Sequence, residues 1–280
     1  VTPGTSGIRR ILVALDASAD SAAALEAAVA LAARLEAELT GLFVEDIEVV
    51  HAAGLPFARE IRVFQHTPHS LDAAELEAQL RARARAIERT LARSAAEADV
   101  PFRFRRVRGR VDAEVLAATG EVDLVVLGRA GHSPLARRRL GSTARAMLAR
   151  GSRPVLLLGR RTRLREPVFA VFDGSQAGAR ALAVATDLAR SGKEPLHVIV
   201  AADDDERARD LERTARRALG PQAQGAVVDR LVGADGARLP EMAWEAGAGV
   251  LVVPAAGPAV ADETLLDALD AAGCPLLLVR

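Results

Sequence analysis

Short runs of Val, Ile and Leu alternate along the chain with longer Ala-rich stretches whose apolar positions recur at helical spacing. A run without polar interruption suits a strand buried on both faces, and a helix between two such runs brings the chain back to start the next strand parallel to the last. In the first half the pattern predicts strands over residues 11–15, 39–44, 102–107, 124–127 and 155–158, with helices over 18–36, 72–98, 113–119 and 142–149. The second half repeats the order, with strands over 168–172, 196–200, 226–232, 250–253 and 276–279, and helices over 177–191, 204–219, 238–245 and 264–271. The expected fold is therefore α/β: two tandem open-sheet domains, each with five parallel strands and about four helices.

Three local matches support a duplication. Ala14-Leu15-Asp16-Ala17-Ser18 corresponds to Val171-Phe172-Asp173-Gly174-Ser175, each closing a strand with an acid and opening a helix with a Ser, a good N-cap. Residues 123–127 correspond to 249–253, and residues 152–158 to 273–279, with Pro154 matching Pro275. Residues 159–167 are basic and aperiodic, so they read as the linker between domains at 1–160 and 161–280. An inserted segment, 46–70, has no counterpart in the second half. It reads as a long loop, a lid or packing segment; its His51, His66 and His69 lack the helical His-x-x-x-His or carboxylate pair that would favour a metal site.

Composition narrows the class. At 280 residues, 50% hydrophobic and with a single cysteine, Cys274, the chain is neither disordered nor held by disulfides or a Cys-based zinc site. No apolar run has the ~20 residues of a membrane helix, and no apolar signal core opens the sequence, so a cytoplasmic protein without membrane contact is expected. Residues 1–160 carry 23 arginines against 19 acids, and residues 161–280 carry 14 bases against 18 acids. That asymmetry is too small for a nucleic-acid partner, though it is compatible with an anion site in the first half alone.

One segment carries candidate chemistry. After the fourth predicted strand comes Gly128-Arg129-Ala130-Gly131-His132, then Gly141-Ser142-Thr143 opening a helix: Gly, two residues, Gly, nine residues, Gly-Ser. The carboxyl end of a strand in an open parallel sheet is where ligands bind. Gly128 and Gly131 would let backbone amides approach phosphate oxygens, and Gly141-Ser142-Thr143 would present free helix N-terminal N–H groups to negative charge. It is not a Walker A loop, since the only lysine is Lys193. Nor is it a dinucleotide fingerprint, which belongs after the first strand.

The spacing Gly-x2-Gly-x9-Gly-Ser, with an Asp closing the first strand, resembles the ATP-binding class of the universal stress protein family. The resemblance covers nearly the whole chain apart from the insertion and linker, and implies a tandem member with the Rossmann-like fold of the adenine nucleotide alpha hydrolase type. It implies that Ala14 and Asp16 sit at the ribose and adenine end and that Val44 offers its backbone to the adenine edge. It also implies that Gly128, Gly131, Gly141, Ser142 and Thr143 hold ribose and phosphates. Arg129 and His132 occupy variable positions inside the motif. The implied ligand is an adenine nucleotide, ATP with or without Mg2+. Asp16 has a second reading, as a cap for the helix beginning near Ser18. Arg137, Arg138 and Arg139 could meet phosphates or form a solvated face.

The second half departs from the motif. Aligning the strands puts Pro254 at Gly128, and aligning Pro275 with Pro154 puts Asp262 and Glu263 at Gly141 and Ser142. A ring without N–H and two carboxylates suit no triphosphate, so the second site is expected to be degenerate, with Asp173 acting as a cap. With no paired carboxylates and no water-orienting group beside the loop, fast phosphoryl transfer is not expected. Three roles remain: a nucleotide-dependent regulatory or interaction module in the stress response, a slow ATPase, or a nucleotide-free scaffold. The apolar last strands, 155–158 and 276–279, read as sheet edges, available for an internal pseudo-dimer or a homodimer.

Overall fold

The computed structural model describes residues 7–53, 59–62, 65–70, 73–129, 140–159, 162–190, 192–233, 239–255 and 274–280, without the side chains of 53–73, 240 and 241. The first half runs β1 (Arg10–Ala14), α1 (Ala19–Leu35), β2 (Glu38–Asp46), α2 (Ile47–Ala53), β3 (Arg59–Arg62), β4 (Gln65–Ser70), α3 (Ala73–Glu97), β5 (Phe102–Gly109), α4 (Val111–Ala118), β6 (Leu124–Gly128), α5 (Ser142–Arg150) and β7 (Val155–Leu158). The second runs β8 (Val168–Phe172), α6 (Gln176–Ala189), β9 (His197–Ala202), α7 (Asp205–Leu219), β10 (Val227–Val232), α8 (Leu239–Glu245), β11 (Val250–Pro254) and β12 (Leu276–Val279). Every strand expected from the apolar runs is present to within two residues at either end. So are the expected helices, except that residues 264–271 lie outside the described residues.

The ten predicted strands form one sheet in the order β10-β9-β8-β11-β12-β7-β6-β1-β2-β5. All neighbours are parallel except β12 and β7, which pair antiparallel with Leu277 opposite Leu156. Each half is thus an open five-stranded α/β sheet, and the two join along their last strands. The last strands thus pair as an internal pseudo-dimer, as the sequence reading allowed; with a neighbour on both sides, neither is left as a free edge for a homodimer. The physical reason is their composition. Leu156, Leu158, Leu277 and Val279 are at most 1% exposed on one face of the sheet, while Val155, Leu157, Leu276 and Leu278 are buried on the other. Two such strands cover each other's open backbone groups.

The helices form a layer on each face, and each layer packs one apolar core that continues through both halves. Residues of α1, α3, α6 and α7 cover one face, and those of α4, α5 and α8 the other. The outer edges are β5 and β10. Strand β5 exposes Arg103, Arg105, Arg106 and Arg108, but each meets an acid: Glu38, Glu121 and, for the last two, Glu45. A charged row paired within the chain protects the edge. Among the described residues no helix is long and apolar enough to cross a membrane.

The insertion is more structured than a loop. It contains α2 and the antiparallel pair β3–β4, with Glu60 opposite His69. The sequence signal failed because these strands, Arg-Glu-Ile-Arg and Gln-His-Thr-Pro-His-Ser, carry no apolar alternation, and Pro68 argues against a strand.

Candidate functional site

Strand β1 lies between β2 and β6, so the connections leave it in opposite directions and a crevice opens at the carboxyl ends of these strands. A cavity of about 140 Å³ sits there. Seven of the expected residues line it: Ala14, Asp16, Val44, Gly128, Gly141, Ser142 and Thr143. Leu15, Ser18, Ser21, Leu42, Val111, Val115, Leu127 and Ala144 line it too and were not expected. Leu42 was legible, since it lies two residues before Val44 and shares its face. Val111 and Val115, spaced i,i+4 on α4, were legible as well.

The acidic turn is built from short hydrogen bonds. Leu15 N–H donates to the Leu42 carbonyl at 2.9 Å, which continues the ladder past β1. Ser18 N–H donates to Asp16 Oδ1 at 2.9 Å, and Asp16 N–H donates to Ser21 Oγ at 3.1 Å. The N-cap of α1 is Ser18, whose Oγ accepts from Ser21 N–H at 3.1 Å. The capping reading of Asp16 is therefore not what this geometry gives: its carboxylate fixes the turn and stands at the cavity wall.

Gly128 ends β6 against the first turn of α1. A Cβ built there would lie 2.9 Å from the Asp20 carbonyl carbon and 3.1 Å from Ser21 N, so the glycine allows the strand end and helix to meet. Beyond it the backbone is tied at both ends of the 129–141 segment. Arg129 N–H donates to the Leu158 carbonyl at 2.7 Å, and Gly141 N–H donates to the Arg129 carbonyl at 2.8 Å. Gly141 is the N-cap of α5 and supplies no side-chain cap. The N–H groups of Ser142, Thr143 and Ala144 thus start the helix without intrahelical acceptors, and these three residues line the cavity.

The Arg129 side chain goes elsewhere. It lines a smaller cavity with Leu140, Leu157, Gly159, Thr162, Cys274 and Leu276, beside the β7–β12 seam, so it is not brought to the crevice. Burial there pushes the Cys274 thiol up to about 11. Gly131, His132 and Arg137 to Arg139 lie outside the described residues. No group of three or more His, Cys, Asp or Glu suited to a metal occurs among the described residues.

In the second half the same turn has different neighbours. Asp173 Oδ1 accepts from Ser175 N–H at 2.9 Å, and Ser175 Oγ accepts from Gly178 N–H at 2.9 Å. The cap is again the serine, so the expectation that Asp173 caps the helix is corrected. Strand register places Pro254 opposite Val279, the place Gly128 takes opposite Leu158. Residues 257, 262 and 263 lie outside the described residues.

An open parallel sheet with helices on both faces and a switch-point crevice facing an uncapped helix start defines a Rossmann-like α/β protein. The model of the universal stress protein family matches residues 7–159, more than half of the chain, and the protein belongs to that family. A universal stress protein from Archaeoglobus fulgidus DSM 4304 is similar in fold over 97% of this chain and 96% of its own, with 18% identity and a TM-score of 0.72. A putative universal stress protein from Pseudomonas aeruginosa UCBPP-PA14 is similar over 98% of this chain and 94% of its own, with 19% identity and a TM-score of 0.62. No curated protein matches the sequence.

Proposed function

We propose that the first half, as a domain over residues 1–160, binds ATP in the β1–β2–β6 crevice, and that the domain over 161–280 has lost that capacity. The convergence of Asp16, Val44 and the uncapped amide end of α5 on one cavity carries this reading. The walls Leu42, Val111, Val115 and Leu127 suit the faces of a base. Asp16 stands where a ribose hydroxyl could donate to it, and the N–H groups of residues 142–144 suit phosphate oxygens. Mg2+ would arrive with the triphosphate.

Among the described lining residues Asp16 is the sole carboxylate, and none of them is a Gln or Glu that could orient water. Such a site holds a nucleotide rather than turning it over quickly. The role we infer is a nucleotide-dependent regulatory or interaction module in a cytoplasmic stress response, where bound ATP orders the segment between Gly128 and Gly141 and alters what it contacts.

Calorimetric titration with MgATP tests this. About one ATP per chain is expected. Gly141→Asp should weaken binding by about 30-fold or more, since a like charge facing the phosphates costs a few kcal/mol. The helix should survive, because Asp is a better N-cap than Gly. A folded wild-type chain that binds no nucleotide would refute the reading and favour a scaffold.

A further inference from the structure

Val44 lines the cavity, and the next residue, Glu45, turns to the opposite face of β2, where its carboxylate is only 4% exposed. Glu45 Oε2 accepts from Arg108 Nε and lies within reach of Nη2, both at 3.0 Å, while Arg106 Nε lies 3.4 Å from Oε1. The same Arg108 guanidinium donates through Nη1 and Nη2 to Glu77 Oε1 at 3.3 Å. Glu45 directly precedes the insertion and Glu77 sits near the start of α3, which follows it. One planar fork therefore fastens both roots of the inserted segment to β5, a geometry that a lysine point charge cannot reproduce. The hydrogen bond to Glu45 holds the Arg108 guanidinium above its ordinary value, against the desolvation there.

The second half lacks this arrangement. Ala14 pairs with Leu42 and Val171 with Ile199, so Ala202 takes the place of Glu45. Its partner in register is Val232, where the first half has Arg108. The clamp thus occurs in the half that has the insertion and the expected nucleotide contacts.

We propose that Arg108, holding Glu45 and Glu77, is a positioning residue for the base end of the first-half site: it fixes the end of β2 so that the Val44 backbone meets the base edge. The inference rests on the nucleotide reading above and adds how that site acquires its preference for a base. The clamp touches no phosphate contact, so its loss should act on base recognition alone.

Removing one partner would leave a buried charge and endanger the fold. The test therefore uses the second half's own solution, the double variant Glu45→Ala, Arg108→Val, with Arg108→Lys beside it as the variant that keeps the charge and loses the fork. Affinities for ATP, ADP and GTP are measured on the full chain. ATP and ADP should weaken together by about tenfold, the scale seen when partners that orient ligating groups are removed from metal sites. Their ratio should stay constant, and the preference for ATP over GTP should narrow. If the double variant does not fold, Arg108→Lys carries the same expectation. ATP affinity within about twofold of wild type in the folded variant overturns the clamp, as does unequal weakening of ATP and ADP, which would place its action at the phosphates. A wild-type chain that binds no nucleotide removes the underlying reading, and this one with it; normal wild-type binding with an unchanged variant removes this one alone.

Discussion

The first half turns from strand to helix through Asp16-Ala17-Ser18 and the second through Asp173-Gly174-Ser175, with the same pair of hydrogen bonds in each. What surrounds the turn differs. Ser21 stands in the first turn of α1 and its Oγ accepts the Asp16 N–H; the matching residue of α6 is Gly178, and the Asp173 carboxylate folds into the space that a Cβ would fill. Asp173 Oδ2 is buried and finds no hydrogen-bond partner among the described residues, while Asp16 stands at a cavity wall. An aspartate kept in the sequence is thus not the same carboxylate in space. Its neighbours decide whether it faces a cavity, and Pro254 takes the place of Gly128 at the adjoining strand end.

The comparison breaks most visibly at Gly128. Gly128→Ala drives a Cβ into the backbone of Asp20 and Ser21, so thermal unfolding should show a loss of about 1–3 kcal/mol and ATP binding should fall with it. Pro254→Ala should change stability by less than about 1 kcal/mol, and equal effects at the two positions would deny their difference. A smaller effect comes from the turn itself. Ala17 has φ +65 and Gly174 φ +80, both in the left-handed region. Ala17→Gly should raise stability by up to about 1 kcal/mol, by relieving a strained alanine. Gly174→Ala should lower it by more than that, because its Cβ would also meet Leu211. Differential scanning calorimetry of the pair reads both signs at once.

The smallest expected effect concerns a tie between the halves outside the sheet. Glu166 accepts from the N–H groups of Glu194 and Lys193 and pairs with Arg34 of α1 at 3.4 Å. These backbone hydrogen bonds first, and Arg34 after them, hold its carboxyl below the ordinary 4.5. A lowered value means that the stabilisation is fully present above about 4.5 and is lost as pH falls through the folded value. Urea midpoints should therefore drop less between about pH 5 and pH 3 in Glu166→Gln than in wild type. Parallel drops would show that the tie contributes nothing.

Much of this was legible beforehand. Buried strands such as Val168–Phe172 announce themselves as unbroken apolar runs, and α1 announces itself by Ser18 and its periodicity. The polar strands β3 and β4 carry no such signal, because Arg-Glu-Ile-Arg and Gln-His-Thr-Pro-His-Ser hold neither an apolar run nor an apolar alternation. The crevice residues converged because each sits at a strand end or a helix start, positions that topology fixes. Arg129 did not, since its N–H continues the ladder to Leu158 and its side chain is carried towards the seam. The Glu45–Arg108 pair was hidden for another reason: 63 residues separate its partners, and only the β2–β5 register brings them together.

The antiparallel seam between β7 and β12 has a consequence for dilution. A sheet joined from two separate chains comes apart as concentration falls, whereas partners on one chain see each other at an effective concentration of the order of millimolar when the connection is short. The second half therefore remains seated against the first at any working concentration, whether or not it holds a ligand of its own. The covalent link secures the seam by itself, so Pro254 and Gly178 can differ from Gly128 and Ser21 while Leu276–Val279 keeps the first half's last strand covered.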